Sequence, residues 1–123
     1  MSQRYAPRVI VSLDNLLYNL QQIRCRIPSS VKVIAVVKDC AYGCGASIIS
    51  RTLEKEGKVD FFTVATPDEA FALRTAGVHG DILVLGKATE EQLKRAASEH
   101  ILFTCNDYDD LNRWAQYDFP VNF

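Results

Sequence analysis

Val33-Ile34-Ala35-Val36-Val37-Lys38-Asp39-Cys40-Ala41-Tyr42-Gly43-Cys44-Gly45 is the stretch on which the fold turns. Five apolar residues run straight into a lysine, and a short loop with a tyrosine and two glycines follows. A nearly continuous apolar run suits a parallel strand covered on both faces, so a strongly buried strand is expected over 31–37. Folds of the α/β class collect their ligands at the carboxyl ends of such strands. A lysine placed there is expected to be partly desolvated and still in reach of a ligand, the setting that makes an amine nucleophilic. Gly43 and Gly45 let backbone N–H groups approach that ligand, and the helix expected behind them offers its N-terminus to an anion. The plain alternative for Lys38 is a strand-end lysine that marks where the sheet meets water.

Working outward, strands and helices alternate. Upstream, 8–13 is a short strand candidate, and Asp14 is the expected cap of a helix carrying Leu16, Leu17, Leu20, Ile23 and Ile27 at a 3.6-residue period. Pro28-Ser29-Ser30 closes that helix. Downstream, 46–56 reads as a helix closed by Gly57, and 59–65 as a strand. Thr66-Pro67-Asp68-Glu69 is a helix start in which Thr66 is the N-cap, Pro67 stands at N1 and Glu69 completes a capping box. Gly77 suits the C′ position of that helix. A strand at 81–86, a second capping box at Thr89 to Gln92, a helix to about Glu99 and a strand at 101–105 repeat the unit. A helix over 107–117, with acids in its first turn, precedes Pro120-Val121-Asn122-Phe123, which reads as the opening of a fifth strand.

Successive buried strands recur roughly every 20 residues, which is the βα rhythm of a parallel sheet. Uniform units of this kind favour a (β/α)8 barrel over an open doubly wound sheet. A complete barrel takes roughly 250 residues. The 123 residues are therefore expected to form the N-terminal half of a TIM-like barrel, as one partial domain over 1–123 truncated at the start of the fifth barrel strand.

Composition narrows the functional classes. Apolar residues make up 48%, charged residues 24%, and the formal net charge is -1. That is the balance of a soluble globular domain, and no basic patch points to a nucleic-acid partner. No apolar run approaches the ~20 residues that a membrane helix needs. Met1 to Arg8 has two arginines but no apolar segment behind them, so it does not read as a secretory signal. Scattered Cys25, Cys40, Cys44 and Cys105 are expected to be reduced thiols in a cytoplasmic protein.

Val37-Lys38-Asp39-Cys40-Ala41-Tyr42-Gly43-Cys44-Gly45 resembles the V-K-A-D-A-Y-G-H-G motif that ends the first barrel strand of alanine racemases. The lysine, alanine, tyrosine and both glycines match in register. Phe62 to Ala70, Leu73 to Gly77 and Ile82 to Gly86 look like that family's second and third strands with the helix between them, and Ser12 to Leu16 with Asn19-Leu20 looks like its entry segment.

The resemblance implies a pyridoxal 5′-phosphate (PLP) enzyme that racemises a small amino acid, L-alanine to D-alanine for peptidoglycan. By it, Lys38 would bear the cofactor as a Schiff base and act as the base serving the D-isomer, and Tyr42 would bind the PLP phosphate. It also implies a homodimer in which a tyrosine of the partner subunit is the second base. In the family's pattern that tyrosine and a cofactor-binding arginine lie past residue 123, so the chain alone is expected to be inactive. Asp39, Cys40 and Cys44 stand where the family has Ala, Asp and His, which touches fine tuning and leaves open a serine-preferring or broad-specificity racemase. A PLP decarboxylase on the same barrel is disfavoured by the Tyr42-Gly43 step, and a non-catalytic remnant or PLP-binding protein is the remaining alternative.

No metal is expected, because the C-x3-C spacing of Cys40 and Cys44 lacks a second ligand pair. Cys25 and Cys105 read as buried packing residues. His79 and His100 read as surface residues, Phe61, Phe62, Phe103 and Trp114 as packing aromatics, and Glu54-Lys55-Glu56 and Glu90-Glu91 as solvated helix charges.

Overall fold

A computed structural model describes residues 7–123, so most of the segment read for a leader peptide, residues 1–6, lies outside it. Four parallel strands lie side by side in the order β1-β2-β3-β4: β1 Ile34–Val36, β2 Phe61–Val64, β3 Asp81–Val84 and β4 Ile101–Phe103. Helices α1 Leu13–Arg24, α3 Ala46–Lys55, α4 Pro67–Thr75, α5 Glu90–Ser98 and α6 Tyr108–Trp114 alternate with them, and a short helical turn, α2 Lys38–Tyr42, leaves the end of β1. Ala35, Phe62, Ile82 and Ile101 stand in register across the sheet. Phe62, Val64, Ile82, Val84, Ile101 and Phe103 form one core with Leu53, Ala70, Leu73, Leu93 and Ala96 of the helices.

Local chemistry sets the helix ends. Thr66 Oγ1 accepts from Glu69 N while the Glu69 side chain returns to the Thr66 amide, with Pro67 in the first turn. Thr89 and Gln92 repeat the arrangement at α5. Gly77 takes the left-handed φ of +83° that ends α4.

Several expectations are corrected. Ser12, not Asp14, caps α1, because its hydroxyl reaches Asn15 N at 3.2 Å. The helix ends at Arg24, short of Ile27. Residues 8–12 form no strand: Val9 and Ile10 are 80% and 91% exposed, and no ladder partner stands beside them among the described residues. β1 is not covered on both faces, for Ile34 and Val36 are 45% and 46% exposed. Among the described residues it is an edge strand with β2 as its one neighbour, and these two side chains face away from the helices that bury the other face. Residues 120–123 form no regular strand, although Phe103 N donates to Asn122 O at 2.9 Å, one bond of a ladder beside β4. Cys25, at the end of α1, is exposed, since that helix buries only Leu20, and Cys105 is half-buried against the core.

Two side chains, Arg74 and Glu54, tie the amino edge of the sheet. Arg74 donates to the carbonyls of Val78, Gly80, Glu99 and His100 at 2.7–3.1 Å. Glu54 is no freely solvated charge: its Oε1 accepts from His79 N and Gly80 N at 2.8 and 2.6 Å.

Candidate active site around Lys38

Beyond β1, Val37 is buried and still bonded to the sheet through Thr63 O at 2.9 Å. The chain then reverses its hand. Asp39, Cys40, Ala41 and Tyr42 have φ of +53°, +55°, +52° and +55°, so α2 is one turn of left-handed helix and not the open loop expected from its glycines. A left-handed turn places each Cβ against the next carbonyl and costs about 1–2 kcal/mol per residue outside glycine. The turn is held by bonds from Ala41 N to Val37 O, Gly43 N to Asp39 O and Gly45 N to Cys40 O, at 2.9–3.0 Å. Ala41, only 5% exposed, plugs it into the core. Strain of this kind gathers at functional sites.

The reversal folds Tyr42 back over the lysine, so that Lys38 Nζ lies 5.6 Å from the centre of the Tyr42 ring. The two residues singled out in the sequence thus meet at the carboxyl end of β1. Tyr42 is 64% exposed, and the Lys38 side chain 36%.

The Lys38 amine is partly shielded from water and is paired with a carboxylate. Asp39 Oδ2 stands 3.0 Å from Lys38 Nζ. The hydrogen bond and charge of Asp39 hold the ammonium above its ordinary value of 10.5, outweighing the small opposing effect of burial. Asp39 is thereby more than a bystander of the motif, because it touches the amine directly.

Cys40 points elsewhere. It lines an apolar cleft of about 500 Å3 with Gly45, Ala46, Ile48, Glu69 and Leu73, to which neither Lys38 nor Tyr42 contributes. Cys44 is exposed, and no group of three or more His, Cys, Asp or Glu side chains suited to a metal occurs among the described residues. His79 and His100 are on the surface.

One residue near this edge was missed as a site element. Glu69, read as a helix cap, also reaches across to the turn: its Oε1 accepts from Asp39 N at 2.5 Å, and its Oε2 from Ala65 N and Thr66 N at 2.9 and 3.1 Å. The capping box was the available signal, but a bond across 30 residues leaves none in the local pattern. Lys87, beyond the carboxyl end of β3, is a second lysine on the same edge, with Nζ 3.4 Å from Asp107 Oδ2.

Compared with known proteins, residues 11–121 match the family model described as alanine racemase, N-terminal domain. The alanine racemase of Streptococcus mutans serotype c is 41% identical over 100 residues, which is 81% of this chain and 26% of that protein. The serine/alanine racemase of Enterococcus gallinarum is 49% identical over 79 residues, 64% of this chain and 11% of that one. The crystal structure of alanine racemase from E. faecalis superposes with a TM-score of 0.81 at 28% identity, over 90% of this chain and 31% of that chain. The chain thus spans about a quarter of the length of the Streptococcus relative.

Proposed function

The chain belongs to the alanine racemase N-terminal domain family, and from that premise we propose that it supplies the cofactor-bearing lysine of a PLP-dependent amino-acid racemase. The observation that carries this reading is the meeting of Lys38 Nζ and the Tyr42 ring, 5.6 Å apart, at the carboxyl end of β1.

The donor set fits a cofactor with an aldehyde and a phosphate. Lys38 offers a primary amine that is reachable from solvent, and Tyr42 an exposed phenol on the same turn. Gly43, at a φ of +85°, leaves open space, since an added Cβ would meet nothing within 4 Å. Helix α3 opens at Gly45 without a side-chain cap, so its first amides remain available to an anion.

When bound, PLP supplies an electron sink that makes the substrate Cα–H acidic. Lys38 would hold the cofactor covalently and, once the substrate's amine has displaced it, its freed Nζ would move a proton at one face of that carbon, serving the D-isomer. Tyr42 would bind the phosphate through its hydroxyl and so orient the cofactor. Both tasks need a neutral Nζ, and Asp39 favours the charged form. The ion pair must therefore open before the amine can act.

The substrate proposed is alanine, handled in the cytoplasm by a homodimer. The kinship to alanine racemases supports it, and no helix among the described residues is long and apolar enough to cross a membrane. Serine is the second reading, favoured by the 49% identity to the serine/alanine racemase segment.

Loss of rotation of L-alanine and L-serine, followed by polarimetry with the full-length protein, tests both. Lys38→Ala is expected to lower turnover at least about a thousandfold, as removal of a covalent nucleophile does. Racemisation at the normal rate in that variant would end the proposal, and faster turnover of serine would replace alanine.

A further inference from the structure

We propose that Glu69 is a positioning residue for Lys38, holding the left-handed turn so that the amine stands beside Tyr42. This rests on the reading of Lys38 as the cofactor-bearing lysine.

A capping box needs from Glu69 only a bond to the N-cap amide. Here the same carboxylate also takes the amides of Ala65 and Asp39, so one side chain joins the end of β2, the start of α4 and the turn after β1. Its own seat is firm, because Pro67, Ala70, Phe71 and Leu73 of α4 are buried. The seat of its target is not. Four successive non-glycine residues at φ of +52° to +55° favour other conformations locally. Something outside the segment must select this one.

Glu69 acts at Asp39, the first left-handed residue and the one directly after the lysine. Bonds from backbone N–H to an ionised carboxylate are the stronger kind. Both carboxylate oxygens are in use, one for the turn and one for the helix start. A glutamine has one acceptor oxygen and two donors in their place. Glu69→Gln can satisfy the turn or the helix start, and sets an NH2 against the N–H groups of the other.

The test uses the full-length protein, incubated with PLP, reduced with borohydride and mapped for pyridoxyl peptides. Visible circular dichroism of the bound cofactor and thermal melting accompany it. Glu69→Gln is expected to lower the yield of pyridoxyl-Lys38 per mole of protein about tenfold, the factor equivalent to one charge-assisted hydrogen bond, and to flatten the dichroic band. Glu69→Asp keeps the charge at the helix start but shortens the reach, so it gives the same loss with melting close to wild type. Thr66→Ala weakens the same helix start and leaves the Asp39 bond intact, so labelling and dichroism stay as in wild type.

Wild-type labelling of Lys38 in both Glu69 variants would overturn the inference alone. So would losses that follow melting temperature equally in Thr66→Ala, which mark a merely structural residue. A wild-type protein labelled elsewhere than Lys38 would refute the cofactor reading and this inference with it.

Discussion

At the amino edge of the sheet, left-handed residues come singly, at Lys58, Gly77 and His100, and each lies one to four residues before a strand. At the carboxyl edge of β1 five of them come in succession, from Asp39 to Gly43, four of them not glycine. The amino edge is fastened by Arg74, which closes four carbonyls, and by Glu54, which closes two amides. The turn at the carboxyl edge packs through Ala41, takes one side-chain hydrogen bond from outside, to Glu69, and carries an ion pair at its start. One edge is bonded for stability. The other spends conformational energy to bring a lysine and a tyrosine together. This is the division expected of parallel α/β folds, whose chemistry gathers where the strands end.

The sharpest way to break this contrast is to cut the amino edge. Arg74→Ala leaves four carbonyls without their donor, and urea unfolding is expected to show a loss of roughly 2–4 kcal/mol. Pyridoxyl labelling of the protein that remains folded stays at Lys38. A variant that kept its stability but lost the labelling would place the site's support at the wrong edge.

A smaller effect sharpens the contrast from the other side. Asp39→Ala removes the hydrogen bond and charge that raise the Lys38 ammonium above 10.5. The pH profile of labelling is therefore expected to move to lower pH, because more of the amine is neutral at any given pH. The sign for stability follows. A raised lysine stabilises the fold fully below its ordinary 10.5, and that contribution fades as pH rises through the folded value, so the variant lacks this alkaline decline. Both partners are exposed, so the difference shrinks with added salt. A profile that is the same in both proteins at low salt would show that the pair has no hold on the amine.

Much of the fold could be read from the sequence because its signals are local. Thr66, Pro67 and Glu69, or Thr89 and Gln92, announce a helix start within four residues, and alternation of such helices with apolar runs announces the parallel sheet. The meeting of Lys38 and Tyr42 was legible as a motif. Its geometry was not, because a left-handed turn built from Asp, Cys, Ala and Tyr violates residue preferences and depends on a partner 30 residues on. Glu54 escaped for the same reason, its amides lying 25 and 26 residues away. The exposure of β1 was misread because a nearly continuous apolar run states what a strand can bury, not which neighbours cover it. The pairing of Lys38 with Asp39 left no signal in the sequence, because two adjacent side chains meet only where the backbone turns them together.

The most direct measurement is the peptide map of the full-length protein after reduction of its PLP adduct with borohydride. Lys38 and Lys87 both stand on the carboxyl edge, each beside an aspartate, at 3.0 and 3.4 Å. Only Lys38 has a left-handed turn that brings a tyrosine to it. The pyridoxyl group is expected on Lys38. Its recovery on Lys87, or on Lys32 before β1, would contradict the account.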